Sequence, residues 1–143
     1  MAKVVAVCIS KNKGEQKHPI EEATLKVNHG ILGDAHAGNW HRQVSLLGIE
    51  SVEKLKDKRG FNFKAGDFAE NILTQGICLY ELQVGTRIRI GETICEVTQI
   101  GKVCQSNCKI KEMAGDCVMP REGIFAKVIE EGKVKVDDCI TVL

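Results

Sequence analysis

The chain reads as a mainly β protein, an antiparallel sandwich or barrel built as a single domain over residues 1–143. Three observations predict this. Short β-branched runs recur along the chain, turn residues punctuate them, and a helical repeat is convincing in one place only. The length is that of one ordinary domain and is sufficient for a hydrophobic core without staples.

The strands come in order. Val4 to Ile9 opens the chain with an apolar run, and Thr24 to Val27 alternates with Leu25 and Val27 on one side. Gln43 to Leu47 follows a Gly-rich stretch. Thr86 to Ile90 alternates charge with apolar residues (Arg87, Ile88, Arg89, Ile90), and Thr93 to Ile100 is β-branched. Gly123 to Ile129, Lys133 to Val136 and Cys139 to Leu143 complete the set. Gly85, Gly91-Glu92, Gly101, Glu131-Gly132 and Asp137-Asp138 supply the turns. No βαβ succession is apparent.

The helix is predicted where Ile49, Val52 and Leu55 recur at helical spacing and charged residues fill the intervening positions. Glu50 and Lys54 are placed for an i,i+4 pair, and Gly60 for a terminator. A second, shorter helix is predicted over Lys109 to Ala114.

Composition excludes several classes. A formal net charge of +1 with interspersed acids and bases argues against a nucleic-acid partner. No apolar run reaches the length needed to span a bilayer, and the first ten residues lack a secretory signal's cleavage site. The expectation is therefore a cytoplasmic protein without a membrane partner. The seven cysteines are odd in number, which favours free thiols over a disulfide framework. Cys8, Cys78, Cys95 and Cys139 sit in apolar runs and are expected to act as small buried hydrophobes. Cys104, Cys108 and Cys117 fall instead in a polar segment.

That polar segment follows a strand and a Gly, so Cys104 is expected on a loop at a strand end. Between positions 102 and 121 the bases Lys102, Lys109, Lys111 and Arg121 outnumber Glu112 and Asp116. A positive field lowers a thiol's pKa and favours the thiolate, the form that ligates metals and attacks sulfur. The alternative is a solvent-facing cysteine without a role. Cys104 and Cys108 form C-x-x-x-C, which lacks the spacing of the redox C-x-x-C motif. A zinc site drawn from these cysteines with His36 or His41 matches no common zinc spacing.

Two other segments are rich in chemistry. Gly30 to Gly38 with His41-Arg42 offers a loop backbone that a ligand could approach closely, and Arg42 is a fork suited to phosphate or carboxylate. Its bland counterpart is a turn with solvated charges and a hydrogen-bonded structural His36. Gly66-Asp67-Phe68-Ala69-Glu70-Asn71-Ile72 places Asn71 before an apolar strand start, where it could serve backbone groups alone.

Taken in order, these pieces resemble the MOSC family, the C-terminal domain of molybdenum cofactor sulfurases. They are Gly33-Asp34-Ala35-His36-Ala37-Gly38, Arg42-Gln43-Val44-Ser45-Leu46-Leu47, Gly66 to Ile72, Leu82-Gln83-Val84-Gly85 with Arg89-Ile90-Gly91, Cys104, and Gly123 to Val128. The resemblance implies a twisted, barrel-like antiparallel β fold with a few short helices. It implies a role in molybdenum cofactor (molybdopterin) binding or sulfur transfer centred on Cys104. In the first case Cys104 ligates molybdenum, with His36, Arg42, Asn71, Lys102 and Arg121 as candidates for the pterin and its phosphate, and N-hydroxylated compounds are reduced. In the second, Cys104 carries a persulfide that Cys108 resolves. Pyridoxal phosphate enters only by association with the family's sulfurases. The 143 residues hold no sulfurase or electron-transfer segment, so an electron-transfer protein or a cysteine desulfurase is the expected partner. A third reading is a non-enzymatic zinc- or partner-binding module.

Overall fold

The computed structural model describes residues 2–13, 15–59, 63–101 and 122–143. Lys102, Cys104, Cys108, Cys117 and Arg121 lie outside the described residues, as do Gly60 and the short helix expected over Lys109 to Ala114.

The elements are β1 (Lys3–Ile9), β2 (His18–Ile20), β3 (Glu22–Lys26), β4 (Gly30–Ile31), β5 (Val44–Gly48), α1 (Ile49–Arg59), β6 (Ile72–Gln75), β7 (Arg87–Ile90), β8 (Thr93–Ile100), β9 (Ile124–Glu130), β10 (Gly132–Lys135) and β11 (Ile140–Val142). A 3₁₀ turn, Leu79–Glu81, follows β6. Among the described residues an eight-stranded sheet runs β11-β7-β8-β9-β5-β6-β1-β2, and a three-stranded sheet runs β10-β3-β4. The fold is mainly β, as the periodicity predicts, and among the described residues the two sheets do not close into one barrel.

One connection departs from the antiparallel expectation. β5 and β6 pair in parallel, Leu46 against Ile72 and Gly48 against Thr74, with α1 crossing between them. Parallel neighbours need a crossover, and a helix supplies it. This βαβ unit escapes a sequence reading because β6 is short, four residues immediately after Asn71.

The pleat sorts side chains to two cores. Val44 and Leu46 of β5 join Val4, Val7, Ile88, Val97 and Ile124 in the main cluster between the sheets. Leu47 faces the other way, with Cys8, Phe68, Leu73 and Phe125, and Ile49 and Val52 of α1 pack against them. The alternation follows from the two-residue side-chain period of a strand. Both faces of β5 are buried, which matches its run of five enclosed residues.

The helix places its charges differently from the predicted i,i+4 pair. Glu50 Oε2 accepts the Gly76 N–H at 2.8 Å, and Lys54 Nζ pairs with Glu122 at 2.8 Å. Tertiary partners win because both groups face neighbouring chain segments. Cys8 and Cys95 are buried as expected, whereas Cys78 and Cys139 are exposed. An apolar neighbour in sequence buries a cysteine only where the strand turns that residue inward. Cys78 precedes the 3₁₀ turn and Cys139 lies at the start of the last strand, where neither is held in a core position.

Candidate cofactor site

The Gly-rich first segment and the Gly66 to Ile72 segment meet over β1. Lys17 and Asp34 form the centre of that meeting: Lys17 Nζ donates to Asp34 Oδ1 at 2.7 Å, and neither side chain is exposed. Asp34 also accepts the Ser10 and His36 backbone N–H groups, at 3.1 and 3.2 Å. Burial raises the Asp34 carboxyl, but the hydrogen bond and charge of Lys17, with Ser10 and Asn71, outweigh it and hold the group below its usual range. Burial draws the Lys17 ammonium below its usual value, and Asp34 opposes this. The pair is an ammonium and a carboxylate enclosed together.

Gly66 makes this arrangement possible. Its φ is +90°, and a Cβ there would stand 2.0 Å from the Lys17 carbonyl oxygen. Only glycine admits that approach. The Gly66 carbonyl then accepts the Lys17 N–H at 2.9 Å. The same loop wraps the Glu70 carboxyl, which accepts N–H groups from Gly66 at 2.8 Å and Phe68 at 3.1 Å. Burial pushes Glu70 up to about 7 despite those hydrogen bonds.

His36 lies at the edge of this network. Its Nδ1 stands 3.0 Å from Lys17 Nζ, so an ammonium donor makes Nδ1 the acceptor and puts the ring proton on Nε2. Asn71 is fully buried and its amide is committed. Oδ1 accepts the Ser45 N–H at 2.9 Å and the Ser45 hydroxyl at 3.1 Å, while Nδ2 donates to the Cys8 carbonyl at 3.0 Å. Asn71 thus clamps β1, β5 and the start of β6, which is the backbone-serving role open to it from sequence.

Arg42 is set apart from that network. Its Nε donates to Gln99 Oε1 at 3.1 Å, and its guanidinium lies over the Phe125 ring at 5.2 Å. The two terminal nitrogens have no hydrogen-bond partner among the described residues. His41 Nε2 lies 3.0 Å from the same Gln99 oxygen, and Gln99 Nε2 donates to the Gly101 carbonyl at 2.7 Å. The Thr98 hydroxyl donates to the His41 carbonyl. Gly101 N–H meets the Gly123 carbonyl at 2.7 Å, extending the β8–β9 pairing to the point where residues 102 to 121 depart and return. Gln99 therefore ties Arg42 and His41 to the root of the segment that carries Cys104.

Of the predicted residues, the structure brings His36 and Asn71 to the Lys17–Asp34 network and puts Arg42 beside Gln99. Sequence reasoning missed Lys17, Ser45, Glu70 and Gln99. Lys17 stands between Gln16 and His18 with no apolar flank, so no local signal marks it as buried. Gln99 sits in a strand whose alternation gives it no distinction. Among the described residues no three His, Cys, Asp or Glu side chains converge to hold a metal, and no helix is long and apolar enough to cross a membrane.

The MOSC domain model matches residues 33–141. The chain belongs to the MOSC domain family. That family is associated with molybdenum cofactor binding. The fold agrees with YuaD from Bacillus subtilis at a TM-score of 0.76 and 19% identity, covering 98% of this chain and 94% of that one. YiiM from Geobacillus stearothermophilus aligns at 0.76 and 15% identity over 100% and 75% of the two chains. YiiM from Escherichia coli aligns at 0.74 and 21% identity, over 100% and 70%. At these identities the likeness is one of fold. No curated protein sequence matches the chain.

Proposed function

We propose that this MOSC domain binds a molybdenum cofactor, with the Cys104 thiolate as a ligand to the metal and Arg42 as the anchor for the cofactor's phosphate. The observation that carries the reading is the Arg42 fork. Its Nε is fixed by Gln99, which also holds the Gly101 carbonyl, and its face by Phe125, while its terminal nitrogens have no partner among the described residues. A preorganised guanidinium is the group that an anionic phosphate selects. The donor set is chemically consistent as well, since a thiolate is a suitable ligand for a transition metal.

Lys102 and Arg121 flank the same segment in sequence and would add positive charge to hold the anion and to keep Cys104 ionised. Asn71 and His36 act from behind, by fixing the strands and loop on which Arg42 stands. The bound cofactor would supply two-electron redox chemistry. With an electron-transfer protein as donor, the reaction is reductive cleavage of the N–O bond of an N-hydroxylated compound, consuming two electrons and two protons and releasing the amine and water. The reading also carries a cytosolic, reducing setting in which the cysteines stay thiols.

The test is expression in a host that makes molybdopterin, followed by metal analysis and pterin fluorescence. Stoichiometric molybdenum and pterin, lost in Cys104→Ser and reduced in Arg42→Ala, support the reading. Cyanide-labile sulfur on Cys104 without molybdenum would replace it with the sulfur-carrier reading and a cysteine desulfurase partner. Zinc alone would support the binding-module reading.

A further inference from the structure

Lys17 is held as a three-legged ammonium. Its Nζ reaches Asp34 Oδ1 at 2.7 Å, Ser10 Oγ at 3.2 Å and His36 Nδ1 at 3.0 Å. The Ser10 hydroxyl gives its own proton to the Asn12 carbonyl, so its oxygen is left to accept. Each of the three N–H groups therefore has one acceptor. His36 is gripped in turn at three points. Its ring takes a Lys17 proton, its backbone N–H goes to Asp34 Oδ2 at 3.2 Å, and its carbonyl takes the Trp40 indole N–H at 2.8 Å.

The contacts continue outward from Trp40. Its ring meets the His41 ring edge-on, with centroids 5.8 Å apart. His41 Nε2 and Arg42 Nε then converge on one oxygen, Gln99 Oε1, at 3.0 and 3.1 Å. Gln99 Nε2 is committed to the Gly101 carbonyl, so the amide cannot turn over without losing that bond. A chain of hydrogen bonds and one ring contact thus runs from the buried Lys17–Asp34 pair to the Arg42 fork. Packed, hydrogen-bonded side chains of this kind are what hold a binding group to its working geometry.

We propose that Lys17 is a positioning residue for Arg42, a role that rests on Arg42 as the phosphate anchor. Through the His36 ring it fixes Trp40 and His41, and these fix the Gln99 amide that aims the guanidinium. The His36 ring is the sensitive link. Protonating it would remove the Nδ1 lone pair and set a second cation 3.0 Å from Lys17. The charged groups around it are Lys17 and Asp34 in direct contact, Lys13 over the Trp40 ring at 5.2 Å, and His41 beyond that ring. Glu70 acts on Lys17 from behind. With Lys17 donating to it, His36 stays neutral, its ring proton on Nε2, where an ordinary histidine is charged.

The test uses the full ¹⁵N-labelled chain without cofactor. The parent's His36 ring should keep one pattern, Nδ1 accepting and Nε2 protonated, as pH falls through the ordinary histidine value of about 6.5. The Arg42 Nε–H should exchange slowly with water. His36→Leu removes the acceptor but leaves the Lys17–Asp34 pair whole. It should speed Arg42 Nε–H exchange about fivefold or more, the scale of one hydrogen bond. It should also shift the emission of Trp40, the one tryptophan in the sequence. His36→Asn puts an amide oxygen near the place of Nδ1 and should restore both, whereas a purely space-filling role for His36 would favour leucine. In protein from a molybdopterin-making host, His36→Leu should retain severalfold less pterin through gel filtration than His36→Asn. A parent His36 ring that titrates like a free histidine overturns the positioning role, whether or not the leucine variant folds. So does unchanged Arg42 exchange in a folded His36→Leu protein. Absence of pterin from a parent whose Arg42 exchange responds as expected would strike the cofactor reading and leave the positioning in place.

Discussion

Lys17 Nζ stands 2.7 Å from Asp34 Oδ1 with both side chains shut off from solvent, and this contact ties the Gly-rich segment to the chain that follows β1. The pair is expensive to form and more expensive to break. Removing one partner leaves a buried charge uncompensated, at a cost of roughly 3–5 kcal/mol. Asp34→Asn is therefore expected to lower the melting temperature by roughly 10–20 °C. Replacing both residues together, Lys17→Met with Asp34→Leu, should recover most of that loss. Thermal melts of the single and double variants check this, and additive losses would refute the pairing.

Glu70 sets a different pH dependence. Its carboxyl titrates at about 7 in the folded chain because burial disfavours the charge, against 4.5 for an ordinary glutamate. The folded state then holds a proton that the unfolded state releases. Stability is full below the ordinary value, declines as pH rises through the window from 4.5 to about 7, and is flat above it. The loss amounts to roughly 3 kcal/mol, from 1.4 kcal/mol for each pH unit of displacement. Asp34 acts oppositely and in a lower window: its depressed carboxyl adds stability above the ordinary aspartate range, lost as pH falls through its folded value. Denaturant titrations across pH should show the Glu70 slope. Glu70→Gln should erase that slope while lowering stability throughout, since an amide nitrogen cannot accept a backbone N–H.

The thiols should separate into classes. Cys8 and Cys95 are raised to about 12 by burial, with Glu70 adding to the effect at Cys8, so neither forms a thiolate near neutrality. Cys78 and Cys139 are exposed and should react at an ordinary rate. Cys104, with four cationic neighbours between positions 102 and 121, should react first. Limiting iodoacetamide at neutral pH with mass mapping reads the order directly. Labelling of Cys8 or Cys95 ahead of Cys104 would remove the basis for a working thiolate there.

The strand pattern was legible because each exposed or buried side of a strand is written at two-residue spacing. Thr93 to Ile100 is recovered to the residue and the other seven predicted strands to within two residues at each end, whereas the short strands β2, β4 and β6 were not delimited. The buried ion pair was not legible, because nothing local distinguishes Lys17 from a solvated lysine; only Gly66's close approach and the fold enclose it. The parallel β5–β6 pair was hidden by the same kind of nonlocality: its second strand is too short to show a period. Asn71 was flagged by its place before a strand, and the structure shows why that place needs an amide that both donates and accepts. Gln99, the residue that holds Arg42, carries no signal in a strand of mixed polarity.

Arg42 gives the sharpest separation between binding and architecture. If its free nitrogens hold the cofactor's phosphate, Arg42→Ala should lower cofactor retention through gel filtration by about ten- to a hundredfold, the equivalent of one charged hydrogen bond at roughly 1.5–3 kcal/mol. Arg42→Lys should restore part of this, because an ammonium keeps the charge but cannot make two parallel contacts. Among the described residues its contacts are one part-buried hydrogen bond to Gln99 and the face of Phe125, so folding should suffer by only about 1 kcal/mol. Gln99→Ala is the informative companion. It leaves the guanidinium in place but frees it to rotate, so retention should fall less than in Arg42→Ala while the melting temperature stays near that of the parent. Full cofactor retention by a well-folded Arg42→Ala protein would remove Arg42 from the site, and with it the link between the Gly-rich segment and the root of the Cys104 loop.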